Sequence, residues 1–511
     1  MTARRIRRNT IGDAVGRAAA HFGERIAVTF EGRHWSFRAL DEAAGRVGRM
    51  LLGLGLRHGD RVAAYGRNSD GYLLLWLGCV RAGLVHVPVN YALTGDELAY
   101  ILRQSGAAAL FFDAGLEGNL APARGLEELR HLADIATLCD VARDAAADPT
   151  LDAELSENDL AQLLYTSGTT ALPKGAAMTH AALLAEYTSC VLAMELRASD
   201  RSIAALPLYH SAQMHCFVMP LLLVGGFSRL LPAPAADVVL ELVESGRMTS
   251  FFAPPTVWIS LLRHPDFARR DLSSLRSVYY GASIMPVPVL EELRARLPGA
   301  RPFNCYGQSE IGPLATVLAP EDHDARPGSV GKPVFHVQTR VVDAEMRDAA
   351  PGEQGEIVHR SPQLLTGYWN NRQATEEAFA GGWFHSGDVG YLDAEGYLFI
   401  VDRIKDVINT GGVLVASRDV EEVLFTHPAV SEVAVIALPD PKWIEAITAV
   451  VVLRPGSEAD EAALMAHARM HLAPYKLPKR IIFAADLPRN TAGKLLKREL
   501  RRIHGASTPW A

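Results

Sequence analysis

One loop constrains this chain more than any other stretch: Tyr165-Thr166-Ser167-Gly168-Thr169-Thr170-Ala171-Leu172-Pro173-Lys174-Gly175. Small and hydroxylated residues followed by a Pro-Lys-Gly stop suit a loop wrapped around phosphate. The backbone N–H groups freed at Gly168 and the hydroxyls of Thr166, Ser167, Thr169 and Thr170 all donate to phosphate oxygens, and Lys174 adds a compact positive charge. A Walker loop needs Gly-Lys-Ser/Thr with the lysine opening a helix. Here Lys174 is followed by Gly175 and an apolar Ala-Ala-Met, so the Ras and ATPase type is excluded. Leu163-Leu164-Tyr165 reads as a short buried strand before the loop, and Thr179 to Ala185 as the start of a helix after it.

The partners of such a loop are expected to be small molecules. A net charge of −7, with 21% charged and 49% apolar residues, argues against disorder and against a surface that coats nucleic acid. Arg4, Arg5, Arg7 and Arg8 precede an amphipathic pattern rather than a signal-peptide core, so a cytoplasmic protein is expected. The most apolar window, Tyr72 to Val89, is broken by Arg81 and His86, and no membrane span is expected. Five cysteines, Cys79, Cys139, Cys190, Cys216 and Cys305, lie far apart without a CxxC pair and read as scattered core thiols.

Along the chain, β-branched runs alternate with helical patterns. Ala27 to Phe30, Arg61 to Tyr65, Leu84 to Val87 and Ala109 to Phe112 read as one α/β layer. Strands near Ile203 to Leu206, Ser250 to Ala253 and Ser277 to Tyr280 form a second. Leu116 to Asp159 is expected to be peripheral. After Gly355 the pattern turns to strands and turns, with Asp393 to Gly396 as a hairpin turn. The last hundred or so residues read as a separate α+β body: helix Arg418 to His427, strands Glu432 to Ala437 and Ala446 to Leu453, helix Ala459 to His471, strand Arg480 to Phe483. The expected fold class is therefore α/β. A large N-terminal domain (1–402), made of two βα-layered subdomains and a small β subdomain, is followed by a small mobile α+β domain (403–511).

Four further segments follow in order: Leu206-Pro207-Leu208-Tyr209-His210, Tyr306-Gly307-Gln308-Ser309-Glu310, Trp383-Phe384-His385-Ser386-Gly387-Asp388 and Pro488-Arg489-Asn490-Thr491-Ala492-Gly493-Lys494. With the loop, they resemble the core motifs of the adenylate-forming superfamily from residue 10 to residue 505. The resemblance is closest to the bacterial acyl-CoA synthetase branch, the fatty-acid or aryl-acid CoA ligases.

The resemblance implies ATP, Mg²⁺ and CoA as cofactors and a small carboxylic acid as substrate, with no nucleic acid; a homodimer is compatible with the sequence. It implies Lys494, Glu310, His210 and Thr166 as the catalytic set. Glu310 is the implied Mg²⁺ ligand, since a hard carboxylate oxygen suits that ion. Tyr306 would stack on adenine and Ser309 would bond the α-phosphate, with Asn304, Gly307 and Gln308 completing the nucleotide contacts. Asp388 would accept from the ribose hydroxyls, Arg403 would supply a second contact, and Asp402 would be the hinge. Lys494 would bridge the substrate carboxylate and the α-phosphate, neutralising two anions as they meet. His210, with His215 as a neighbour, would gate the acyl carboxylate. Gly281-Ala282-Ser283 would form a loop where missing side chains let backbone approach the ligand. Phe252, Thr256 and the surroundings of Cys305 would line the acyl pocket, while Gly411 and Gly412 would face the pantetheine arm.

The chain departs from the family pattern at three places. Ala171 replaces a usual glycine, Val413 and Leu414 replace a polar pair after Gly411-Gly412, and Ile444 stands where a glycine is frequent. The expected activity is an acid–CoA ligase forming an acyl-adenylate, with a medium or long fatty acid favoured over an aryl acid. The changed thiol-route loop leaves a non-CoA acceptor, such as an amine, a carrier protein or an acid like nitrite, as the rival. A non-catalytic nucleotide sensor is the rival from another class.

Overall fold

The structure, a computed structural model, describes residues 6–151, 153–166, 172–283, 285–491 and 493–505. Its largest part is two sheets packed through helices. The first has six strands in the order His131–Asp134, Ala107–Phe112, Arg61–Tyr65, Val85–Val89, Leu160–Thr166 and Lys174–Thr179. All its pairings are parallel except the last. Strands such as Val85–Val89 are buried on both faces, which is why they read as unbroken apolar runs rather than as alternation.

The second sheet has nine strands, and its middle five, Arg301–Gly307, Ser277–Gly281, Ser250–Ala253, Arg201–Ala204 and Phe227–Leu230, run parallel. Ile26–Phe30 continues this sheet by pairing in parallel with Phe227–Leu230. The sequence pattern had placed that strand in the first layer. Chain order follows neighbours in sequence, whereas this pairing spans some two hundred residues and leaves no local signal. His131–Asp134 likewise adds a sheet edge within a stretch expected to hold only peripheral helices and loops.

Between the sheets lies the helix Asp70–Ala82, apolar and buried all round. Ser69 caps its start by accepting from Tyr72 N, and Gly83 ends it at φ 73°, a left-handed turn that disfavours a side chain. Asp70 is anchored by both Arg33 nitrogens (2.7 and 2.8 Å) and Trp35 Nε1 (2.9 Å). Among the described residues no helix is long and apolar enough to cross a membrane.

Four antiparallel strands, Gln338–Val342, Gly355–Arg360, Phe384–Leu392 and Leu398–Arg403, form a small β subdomain, with the expected hairpin turn closing on Gly396 at φ 82°. The chain after residue 403 builds its own five-stranded sheet from Ile408–Thr410 to Arg480–Phe483. The helices Ser417–Phe425 and Glu461–His471 cover it over a core of Val420, Leu424, Val435, Ile447 and Leu464. The fold is thus α/β, a large N-terminal domain followed by a small C-terminal one.

One polar node pins several elements of the large domain. Glu186, on the helix His180–Ala193, is fully enclosed. Its Oε1 accepts from Leu314 N (3.0 Å) and from the thiols of Cys190 (3.1 Å) and Cys216 (3.5 Å), and its Oε2 accepts from Gln363 Nε2. Two of the cysteines that read as scattered therefore meet at one carboxyl, and all five are free thiols. Burial pushes the Glu186 pKa up from 4.5 to about 8 against the opposing hydrogen bonds.

A carboxyl whose folded pKa lies above its unfolded one holds its proton more tightly in the native state. Its contribution is fully present below about pH 4 and is lost as pH rises towards 8, at up to about 1.4 kcal/mol per unit. Glu186→Gln removes that loss. In urea unfolding, the variant is expected to gain stability relative to the parent from pH 5 to pH 8; a constant difference across that window would show that Glu186 is ionised in the fold.

Candidate active site

Ligands of open α/β sheets bind beyond the carboxyl ends of the parallel strands. Four such ends meet here: Thr166, Gly281 and Gly307 close their strands, and Leu206 to His210 follows Arg201–Ala204. Glu310 sits in the short turn Ser309–Ile311 beyond Gly307, nearly buried. Its Oε1 accepts from Thr166 Oγ1 (3.0 Å) and Tyr368 OH (3.1 Å). Lys174 is the register partner of Thr166, and its ammonium lies 5.0 Å from the centre of the Tyr368 ring. The expected phosphate contacts Ser167, Gly168, Thr169 and Thr170, and the departure at Ala171, lie outside the described residues.

Asp388 and Arg403 are cross-strand partners in the small β subdomain, which fixes their proximity. Arg403 Nε lies 3.1 Å from Asp388 Oδ1, and Tyr306 OH donates to Oδ2 at 2.7 Å. Burial first, then the neighbouring carboxylate, pushes the Tyr306 hydroxyl pKa well up. Ser309 and Ser211 share a hydroxyl contact of 2.8 Å. Asn304 donates to Ser329 O (2.8 Å). Gln308 has a buried Nε2 with no hydrogen-bond partner among the described residues, a donor that a ligand in this cleft would satisfy.

Two glycines have a packing reason that the sequence did not reveal. A Cβ on Gly281 would lie 2.2 Å from Cys305 O, and one on Gly307 would lie 1.8 Å from Pro313 O. The bareness of Gly281 admits the neighbouring strand, not only a ligand. Ala282 takes a left-handed φ of 64° without being glycine, and with Ser283 it is exposed at the strand end.

The C-terminal domain contributes Lys494 from a tight hairpin. Lys494 N donates to Asn490 Oδ1 (2.8 Å), Gly493 N to Asn490 O (2.9 Å), and Gly493 takes φ 82°. Cleft water still reaches the ammonium, yet protein surrounds it. Desolvation, followed by the positive charge of Arg403, lowers its pKa from 10.5 to about 8, against the pull of Asp388, Asp406 and Glu310. His210 is pushed down to about 4 by burial and then by Lys494, so its imidazole is neutral near pH 7. The hinge candidate Asp402 accepts from Ser417 N (2.6 Å) and Ser417 Oγ (2.7 Å).

Some candidates fall elsewhere. His215 is enclosed in a separate polar chain, bonded to Tyr187 OH (2.8 Å) and Gln162 Oε1 (2.7 Å) rather than beside His210. Phe252 is stacked on Phe217 at 4.4 Å with Tyr279 and Phe303 behind, and Cys305 is buried among them. Thr256 lies under Gly493. Gly411 and Gly412, at φ 65° and 85°, turn a hairpin of the small domain and bond to Trp443 O and Asn409 Oδ1. Beside them Leu414 is 70% and Ile444 59% exposed. Sequence reading missed Tyr368, which is held at the cleft by backbone bonds of residues 366–369 along the strand Lys174–Thr179, the bridge to Ala176 among them.

Comparison with known proteins agrees with this geometry. The family model described as AMP-binding enzyme matches residues 15–369, and that of the AMP-binding enzyme C-terminal domain matches residues 419–494. A feruloyl-CoA synthase of an Amycolatopsis species is 36% identical over 98% of this chain and 100% of its own. A long-chain-fatty-acid–CoA ligase of Mycobacterium tuberculosis is 34% identical over 93% of this chain and 94% of its own. The crystal structure of an anthranilate CoA ligase in complex with anthranoyl-AMP superposes with a TM-score of 0.90 at 30% identity, covering 97% of each chain. With the strand-end cleft, the order of the motifs and matches across both domains all in agreement, the chain belongs to the AMP-binding enzyme family, in its AMP-forming acyl-CoA synthetase branch.

Proposed function

We propose that the protein activates an apolar carboxylic acid with ATP and passes the acyl group to CoA. In the first half-reaction a carboxylate oxygen attacks the α-phosphorus, and the bond from that phosphorus to the pyrophosphate oxygen breaks. In the second, the CoA sulfur attacks the acyl carbonyl, loses its proton to solvent, and AMP leaves. The observation that carries this reading is the Lys494 hairpin seated on the large domain, with Thr491 on Asn90 and Gly493 on Pro254 and Thr256.

In this reading Lys494 holds the incoming carboxylate against the α-phosphate, and Asp388 and Arg403 hold the ribose. Thr166, Lys174 and the rest of the loop grip the phosphates, and His210 stays neutral beside the reacting carboxylate. Glu310 and Thr166 offer only hard oxygens, a donor set that fits Mg²⁺, which would neutralise charge on the leaving pyrophosphate. The domains 1–402 and 403–511 then rotate about Asp402 between the half-reactions, withdrawing Lys494 and presenting Gly411 and Gly412.

CoA as acceptor is supported by the surface beside Gly411. The indole of Trp443 lies there with the Lys442 and Lys479 ammonium groups over its ring at 5.0 and 4.6 Å, a pair of cations that suits the phosphates of CoA. Exposed Val413 and Leu414 keep the non-CoA acceptor as the rival, and CoA-dependent AMP release with a thioester product dismisses it. For the acid, the sequence favours a fatty acid. The similarity to a feruloyl-CoA synthase and to an anthranilate CoA ligase favours an aryl acid as a second reading. Pyrophosphate release with dodecanoic and ferulic acids separates the two.

Lys494→Ala is expected to lower pyrophosphate–ATP exchange by about 10²- to 10³-fold while thioester formation from pre-made acyl-adenylate proceeds; equal loss in both half-reactions refutes the division of labour. Because the free-enzyme pKa of Lys494 is about 8, kcat/KM for exchange is expected to fall as pH rises through 8 and the ammonium loses its proton. Lys494→Arg, which stays charged, should lose that alkaline limb from its pH profile; an unchanged limb would assign it to another group.

A further inference from the structure

The hairpin that carries Lys494 meets the large domain at a defined seat. Thr491 Oγ1 donates to Asn90 Oδ1 at 3.2 Å and is hydrogen-bonded to Tyr209 OH. On its other side Gly493 is close-packed on Pro254 and Thr256, so that a Cβ there would lie 3.1 Å from Pro254 Cγ and 3.3 Å from Thr256 Oγ1.

The receiving groups are also held by contacts within the large domain. Asn90 Oδ1 also accepts from Ala92 N (3.0 Å), which fixes the amide in its own turn. The Tyr209 ring stands edge-on to Tyr91 at 5.8 Å, and the Arg67 guanidinium lies 5.5 Å from the Tyr91 ring centre. Asn68 ties down the segment that carries Tyr209, donating to Leu206 O (2.8 Å) and accepting from Leu208 N (2.7 Å).

We infer that Thr491, received by Asn90 and Tyr209, is a positioning residue that locks the C-terminal domain in the arrangement that delivers Lys494, and so acts on adenylate formation alone. The inference rests on the two-step reading above. Its physical need follows from the cost of bringing the ammonium in: desolvation and then repulsion from Arg403 oppose it, and Asp388, Asp406 and Glu310 offset only part of that. A neutral contact three residues away supplies the register instead. Two hydrogen bonds to one hydroxyl correspond to roughly a tenfold effect.

The test compares Thr491→Val, Thr491→Ser and Tyr209→Phe with the parent and Lys494→Ala, using whichever of dodecanoic and ferulic acid is activated faster. Thr491→Val is expected to lower kcat for pyrophosphate–ATP exchange about tenfold, with KM for the acid little changed. Tyr209→Phe should lower it less, and Thr491→Ser should restore it. Thioester formation from the pre-made adenylate of the same acid should be unchanged or faster in Thr491→Val, since unlocking favours the second arrangement. Exchange unchanged in Thr491→Val, or both half-reactions slowed alike, overturns the seat while a normal Lys494→Ala result leaves the two-step reading standing. Exchange that survives Lys494→Ala overturns the two-step reading, and the seat with it.

Discussion

The cleft is organised around like charges that must coexist. Lys494 comes from the C-terminal hairpin and Arg403 from the last strand of the β subdomain, and desolvation first, then Arg403, lowers the ammonium pKa. Asp388, Asp406 and Glu310 offset part of this at longer range, but Asp388 already accepts from Tyr306 and pairs with Arg403. Positive potential is therefore held in reserve. A polyanion entering such a site relieves strain on the protein as well as gaining attraction, and the field needs no rebuilding when negative charge develops. Burial first, and the Lys494 charge second, keep His210 from carrying a proton there at neutral pH.

Holding cations together requires rigid supports, and the two sheets provide them. Strand ends cannot shift singly when each strand is buried and bonded on both sides, so Thr166, Gly281 and Gly307 arrive at fixed spacings. The bare glycines let this happen. Cys305 O and Pro313 O occupy the places where side chains on Gly281 and Gly307 would stand, bringing backbone close enough to close the floor of the cleft. Arg403 and Asp388 are fixed another way, as neighbours across an antiparallel pair. In that pair, one step of register would separate them.

Much of this was legible in the sequence, because the chemistry is carried by contiguous motifs. Thr166 meets Glu310, and Tyr306 meets Asp388 beside Arg403, each pair drawn from segments that the sequence marks as motifs. What was not legible is whatever depends on pairings between distant segments. Ile26–Phe30 joins the second sheet through Phe227–Leu230, and Tyr368 reaches Glu310 from a segment bonded along the strand Lys174–Thr179. Glu186 is an ordinary helical acid in sequence and a buried node in space. His215 follows His210 closely along the chain, but the wide helical turn Ala212–Val218 between them directs it into the Tyr187–Gln162 chain. Spacing in sequence predicts shared direction only while the backbone is regular, and that segment is not.

At residue 402 one side chain ties the β subdomain to the small domain. Asp402 belongs to the last strand of the β subdomain, yet its carboxylate accepts from Ser417 N and Oγ at the first turn of the helix Ser417–Phe425 in the small domain. A carboxylate at a helix N-terminus is favoured by the exposed N–H groups and the helix dipole. Lys497 reinforces the same point, bonding Ser417 Oγ (2.5 Å) and pairing with Glu421 (2.8 Å), while Arg501 pairs with Asp406. These bonds gather on the C-terminal side of the backbone that would turn. A rotation at residue 402 that carries the carboxylate along keeps them; one that leaves it behind breaks two bonds to a helix end. Carrying it along costs the strand pairing of Asp402 with Val389 and of Arg403 with Asp388, so the link is held on both sides, by a helix cap on one and a strand end on the other.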